Sequence, residues 1–229
     1  SGFRSVRGWP IPVRDVAIPQ QWSRGRVLLI GGIHGDELTS VSLTFWWLAN
    51  LEDEGSAFAW RVAPLVNPDG MFAHPPTRVN AHGVDLNRNM PTAGWEQASA
   101  KYWRYVGRRA RRYPGDSAAS EPETRWLVHA IKAFQPDIIV SLHAPYGLLD
   151  YDGDLTPPPK LGDLPLHNLR VYPGSLGNYG AHGLDIPVIT IELADATQMP
   201  TPNEARRMWE DLNAWIYRSL TPIRQARAQ

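Results

Sequence analysis

Four short stretches of this chain carry residue types that hydrolytic chemistry uses. They are Gly31-Gly32-Ile33-His34-Gly35-Asp36-Glu37, Gly83-Val84-Asp85-Leu86-Asn87-Arg88-Asn89, Ser141-Leu142-His143 and Thr190-Ile191-Glu192-Leu193. His34 and Glu37 lie three apart, so both can face one ion from a single turn, and His143 can complete the set once folding brings it close. Two imidazoles and a carboxylate suit one zinc ion with an open position, which acidifies water and polarises a carbonyl. Glu192 is a spare carboxylate. The Asn87-Arg88 pair suits a substrate carboxylate, because a guanidinium can grip both oxygens at once. Together these residues are equipment for hydrolysing an amide next to a terminal carboxylate.

The elements that must position these groups are legible around them. Val27-Leu28-Leu29-Ile30 is a continuous apolar run ended by Gly31-Gly32, as expected of a central buried strand. Leu38, Val41, Phe45 and Leu48 then recur at helical spacing, which predicts a helix from about Asp36 with Glu37 in its first turn. Arg61 to Val66 reads as a second strand, broken by Asn67-Pro68-Asp69-Gly70 and followed by a long loop to about Pro91. Loops of that length inside compact domains are usually functional or disordered. Ile138 to Leu142 and Pro187 to Leu193 read as further strands that deliver His143 and Glu192 near their ends. Asp152 to Pro165 reads as a surface loop. Thr201-Pro202-Asn203-Glu204 has the form of a capping box ahead of a terminal helix with an apolar stripe at Met208, Leu212 and Trp215. Strands alternating with helices indicate an α/β fold, a sandwich around a parallel or mixed sheet, with ligands at the C-terminal ends of strands.

Composition narrows the classes. The 229 residues, 43% hydrophobic, suffice for one substantial core, so one domain over 1–229 is expected, with 221–229 as a flexible tail. A net charge of +0 offers no electrostatic case for nucleic acid or an anionic membrane. The local cluster of Arg104, Arg108, Arg109, Arg111 and Arg112 reads as a solvated helix face. With no cysteine, any metal must rely on His and carboxylates. A cysteine-free chain with no long apolar run and no signal peptide at Ser1-Gly2-Phe3 is expected to be cytoplasmic, off the membrane. Nothing in the sequence sets an oligomeric state. Among the ten tryptophans, Trp46 and Trp47 on the first helix read as core.

From Arg4-Ser5-Val6-Arg7-Gly8 through Glu192, the chain resembles the zinc carboxypeptidases of the carboxypeptidase A family. Asn67-Pro68-Asp69-Gly70 and Thr77-Arg78-Val79-Asn80, followed by the Gly83–Asn89 stretch, look most like the compact bacterial murein peptide amidases. The resemblance implies a three-layer α/β/α sandwich around a mixed sheet and one zinc per chain held by His34, Glu37 and His143. It implies Glu192 as general base and acid, and Arg78 as the arginine that steadies the oxyanion. Asn87 and Arg88 would hold the substrate's terminal carboxylate, and Asp85 would orient the first histidine. The implied substrate is a small peptide with a free carboxylate, from which diaminopimelate is released at a γ-D-glutamyl bond. General chemistry supports the roles: a carboxylate can carry the proton from water to the leaving amine, and an arginine can meet charge developing on the carbonyl oxygen.

Each residue also has a structural alternative. Arg78 and Arg88 suit loop salt bridges, Asp85 a turn, and Glu192 a strand end. His74, His82, His129, His167 and His182 match no site position and read as structural or surface residues. The family's mobile tyrosine has two unaligned candidates, Tyr172 and Tyr179. Side-chain specificity is expected to lie in the loops between about Ala144 and Tyr179. Two other functions share features of this sequence. One is an N-acyl amino acid deacylase of the aspartoacylase or succinylglutamate desuccinylase type; the other is a non-catalytic peptidoglycan-peptide binding module.

Overall fold

A computed structural model describes residues 3–19 and 23–227, with side chains through Leu220. Its frame is a six-stranded mixed sheet. The strands in chain order are β1 (Arg14–Val16), β2 (Arg26–Ile30), β3 (Ala59–Ala63), β4 (Ile138–His143), β5 (Leu148–Asp152), the short pair β6 (Lys160–Leu161) and β7 (Leu164–Pro165), and β8 (Val188–Glu192). The spatial order is β1-β3-β2-β4-β8-β5, with β6 and β7 forming a separate hairpin. The four inner strands are parallel, and β1 and β5 run antiparallel at the two edges.

The inner strands are largely apolar because both sheet faces are covered. Val27 and Leu29 join one core with helices α1 (Leu38–Glu54) and α5 (Pro202–Arg227), through Trp47, Trp209, Leu212 and Trp215. Leu28 and Ile30 point the other way, into a core shared with Trp126, Leu127 and Ile131 of α4 (Pro122–Phe134). The arrangement is the three-layer sandwich. A one-turn helix α2 (Pro68–Met71) and helix α3 (Trp95–Tyr105) lie in the long connection from β3 to α4.

Several expectations are revised by packing. Helix α1 begins at Leu38, so Glu37 is its N-cap, in a non-helical conformation, rather than part of its first turn. Its buried residues are Thr39, Ser40, Val41, Leu43, Thr44, Trp47 and Leu51, so Val41 of the expected stripe is buried while Phe45 is exposed. The hydroxyl of Ser40 turns inward because it has work there, donating to Glu37 O and accepting from Gly32 N. The expected loop from Asp152 to Pro165 contains the β6–β7 hairpin, with Leu161 fully buried against the α1–α5 core. The segment 221–227, expected as a tail, continues α5 as helical backbone; 228–229 lie outside the described residues. The capping box is present, with Thr201 N donating to Glu204 Oε2 at 2.7 Å and Glu204 N to Thr201 Oγ1 at 3.3 Å.

Candidate active site

The C-terminal ends of β2, β4 and β8 converge on one buried cluster. His34 follows β2, His143 ends β4, and Glu192 ends β8 directly opposite His143 in the parallel register. His34, Glu37 and His143 are all buried. His34 Nδ1 lies 2.7 Å from Glu37 Oε1, and His143 Nδ1 lies 3.0 Å from Glu37 Oε2 and 3.1 Å from His34 Nδ1. Both Nδ1 atoms thus face a common point. Each Nε2 is engaged on its far side, His34 with Asp85 Oδ1 at 3.3 Å and His143 with Ser141 Oγ at 3.1 Å. Such outer contacts set which ring nitrogen is presented to a metal. Zinc bonds of about 2.0–2.2 Å at a tetrahedral angle place ligand atoms roughly 3.3 Å apart. The observed separations fit that ion with slight expansion.

Close backbone packing holds His34 in place. A Cβ on Gly35 would sit 2.2 Å from the backbone of Gly70 and Met71, so only glycine lets the His34 turn meet the turn at α2. Asn67 builds that second turn, accepting from Gly70 N and donating to Arg78 O. The long loop after β3 is therefore held in place by packing and hydrogen bonds.

That loop brings in two further predicted residues. Arg78 Nε donates to Asp85 Oδ2 at 2.9 Å, and its Nη1 is 3.5 Å from Glu37 Oε1. Burial favours the neutral forms of all these groups, yet their mutual attraction wins. Asp85 stays well below the usual carboxylate range beside Arg78, and Glu37 is held low by the two imidazoles. His143 is raised because the adjacent Glu37 outweighs its burial, and Arg78 is raised by Asp85 and Glu37. Asp85 also accepts from Asn87 N at 3.1 Å, so it makes the expected turn as well as the contact to His34.

Glu192 behaves differently. Burial pushes its carboxyl above the ordinary value, although His143 pulls the other way. Its Oε2 is buried without a partner among the described residues.

Asn87 and Arg88 lie on a single 3₁₀ turn, Leu86–Arg88. Asn87 Oδ1 accepts from Leu176 N at 2.8 Å. The Arg88 guanidinium donates to Asn87 O and lies over the rings of Tyr172 and Tyr102, 4.4 and 5.1 Å from their centroids. Gly174 clasps this turn. Its φ is +69°, and a Cβ there would come 1.9 Å from Arg88 O. Of the two tyrosine candidates, Tyr172 lines the cleft over Arg88, whereas Tyr179 is buried in the α4 core.

His34, Arg78, Asn87, Arg88 and Glu192 border one cleft of about 500 Å³. Sequence reasoning missed several of its neighbours: Tyr102, Arg109, Arg112, Asp150, Asp152 and Thr190. Of the basic cluster only Arg104 lies on helix α3, and the other four follow its end. Helix α3 ends at Tyr105, and Gly107 and Arg108 both take positive φ, which turns the chain back. Arg109 and Arg112 then reach the cleft, and Arg111 pairs with Asp36 at 2.7 Å. The only local signal was the glycine inside that arginine run. None of the other five histidines borders the cleft; His82, for one, pairs with Glu121.

Asp152 carries a measurable cost. Burial and the charge of Asp150 push its carboxyl up to about 6, against the pull of His182. The folded state therefore holds this proton more tightly than the unfolded chain, whose carboxyl titrates near 3.8. The penalty is absent below that value and complete above about 6. Asp152→Asn is expected to stabilise the protein at pH 8 by about 1 kcal/mol, the full linkage being reduced because the group is only half-buried. The gain should shrink towards pH 4, read from urea midpoints at the two pH values.

Comparison with known proteins agrees with this geometry. The profile described as zinc carboxypeptidase matches residues 4–171. Murein peptide amidase A of Escherichia coli strain K12 is 33% identical over 171 residues, covering 73% of this chain and 61% of that protein. The chain thus spans about three fifths of that relative's length. Murein peptide amidase A of Vibrio campbellii is 32% identical over 198 residues, covering 83% and 77%. The crystal structure of a murein-tripeptide amidase from Escherichia coli O157 superposes with a TM-score of 0.62 at 27% identity, covering 96% of this chain and 89% of that one. Carboxypeptidase A from Helicoverpa armigera shares the fold, with a TM-score of 0.68 at 18% identity over 92% and 65% of the two chains.

Proposed function

The chain belongs to the zinc carboxypeptidase family, and from that membership we propose a zinc metallocarboxypeptidase that releases diaminopimelate from murein peptides at the γ-D-glutamyl bond. The carrying observation is the cleft bordered by His34 of the buried His34–Glu37–His143 cluster, by the raised carboxyl of Glu192 and by the guanidinium of Arg88. The murein peptide amidases among its relatives support the substrate class.

His34, Glu37 and His143 would hold one zinc per chain. Zinc, when bound, supplies an acidified water and a polarised carbonyl. Glu192 accepts the proton of the attacking water and delivers it to the leaving amine; its burial suits both tasks, because a raised carboxyl takes up a proton more readily and keeps it until the amine leaves. Arg78, anchored through Nε by Asp85, offers a guanidinium donor to the carbonyl oxygen as charge develops there. Arg88, backed by the rings of Tyr172 and Tyr102, binds the free carboxylate of the residue being released, with Asn87 beside it. A small peptide with a free C-terminus is the partner; the net charge of +0 gives no basis for nucleic acid. No helix among the described residues is long and apolar enough to cross a membrane.

The direct test is incubation of the zinc-loaded protein with L-Ala-γ-D-Glu-meso-diaminopimelate, with products identified by mass spectrometry. Free diaminopimelate and L-Ala-D-Glu are expected. An intact tripeptide would reject the substrate.

Carboxylate recognition has its own test. A charged hydrogen bond lost from a desolvated site costs about 1.5–3 kcal/mol, or roughly one to two decades in kcat/KM. Arg88→Met should impose that loss on the free acid and far less on the same peptide amidated at its C-terminus. Arg78→Met should slow both substrates alike, because both develop an oxyanion. Equal losses for Arg88→Met on acid and amide would take Arg88 out of the clamp.

The deacylase reading is not supported by the family match, and the retained Glu192 beside a complete ligand set is not what a binding module needs.

A further inference from the structure

The wall of the cleft built by β5 is acidic. Strand alternation puts Leu148, Asp150 and Asp152 on one face, and all three border the space that also holds Thr190, Glu192 and Arg88. Register sets their depth, with Leu148 opposite Glu192, Asp150 opposite Thr190 and Asp152 opposite Val188. At about 3.4 Å per residue, Asp150 lies roughly 7 Å and Asp152 roughly 14 Å along the strand from the level of Glu192. Asp150 is nine-tenths buried, with one oxygen accepting from Leu169 N at 2.8 Å. Among the described residues, no lysine or arginine forms an ion pair with either carboxylate, Arg170 of the same cleft included.

Two further polar atoms indicate that this space receives a ligand. Arg88 Nε and Glu192 Oε2 belong to residues more than nine-tenths buried, border the same cleft, and have no partner among the described residues. A molecule reaching from Arg88 to β5 meets a cation at one end and two carboxylates at the other. Both carboxyls are pushed up, chiefly by burial, and an incoming cation would relieve that cost.

We propose that Asp150 and Asp152 select the residue to be released by binding an ammonium group at the far end of its side chain. Residues of the lysine or diaminopimelate type, with an amine on a stem of about four carbons, are then favoured over neutral or purely acidic ones. The inference rests on the carboxypeptidase reading, which puts the released residue's carboxylate at Arg88. It assigns selectivity to a strand face, not to the flanking loops.

The test uses two tripeptides on the zinc-loaded protein, L-Ala-γ-D-Glu-meso-diaminopimelate and its 2-aminopimelate analogue, which lacks only the distal amine. The wild type should favour the first in kcat/KM by about ten- to a hundred-fold, the loss typical of a charged hydrogen bond. In Asp150→Asn/Asp152→Asn that ratio should fall close to one. Calorimetry gives a second readout, in which lysine binds the wild type more tightly than norleucine and the double variant no longer distinguishes them. Should the double variant not fold, Asp152→Asn alone must lower both preferences. Equal cleavage of the two peptides by the wild type, or an undiminished ratio in the variants, overturns the inference and leaves the carboxypeptidase reading standing. If neither peptide is cleaved but lysine selectivity is present and is lost in the variants, the acidic wall stands and the peptidase reading falls. Absence of both cleavage and selective binding overturns the two together.

Discussion

Glu192→Gln is expected to lower kcat by roughly 10³–10⁴-fold while fold and zinc content are retained. Loss of a general acid–base typically costs about 10²–10⁴-fold, and the proposed use of this residue in two successive proton transfers favours the upper part. The substitution is nearly isosteric, and Glu192 Oε2 has no partner among the described residues, so no hydrogen bond through that oxygen is broken. Stability gives an independent check on sign. Burial raises this carboxyl, so its charge costs stability once pH exceeds the raised value, and glutamine removes that cost. The variant should therefore melt no lower than the wild type at pH 8. A purely structural Glu192 would show the reverse pattern, lowered stability with turnover preserved. Turnover within tenfold of wild type at full zinc occupancy would remove Glu192 from proton transfer.

His143→Ala should abolish tight zinc binding. Losing a contact that merely orients a ligand already costs about 10–100-fold in metal affinity, and losing a ligand outright should exceed that. The same change takes from Glu37 one of the two imidazoles that hold its carboxyl low at a buried position, so the metal-free protein should also be less stable. Elemental analysis after dialysis against a chelator reads the first effect, and a thermal melt reads the second. Full zinc occupancy in the variant would exclude His143 as a ligand. Asp85→Asn should produce a milder deficit, since it faces His34 from the side away from the ligand cluster.

The same two residues mark how far the chain is legible on its own. His143 and Glu192 each end a run of apolar residues, and such runs announce inner strands because both sheet faces are covered. His34 and Glu37 fall where an apolar run meets glycines, a strand-to-helix turn that needs only near neighbours to be recognised. The places of His34, Glu37, His143 and Glu192 at or after strand ends and the sandwich around the sheet were therefore readable from local pattern, whereas the roles proposed for these residues came from the family resemblance. Asp85, Asn87 and Arg88 share one short turn, so their mutual proximity was readable as well.

What joined the cleft from a distance was not. Asp150 and Asp152 lie in the stretch after His143 whose strand character depends on antiparallel pairing with β8, a partner some forty residues further on. Their facing follows from that register, and a slip of one residue would turn both away from the cleft. Tyr172 meets Arg88 only because Gly174 lets one loop close on another. Arg109 and Arg112 reach the cleft only because the chain reverses at Gly107 and Arg108 instead of extending α3. Groups carried by regular elements with one-dimensional periodicity can be placed from sequence. Groups placed by cross-strand register and loop-to-loop closure depend on contacts between residues far apart in the chain, and the tertiary structure alone decides where they point.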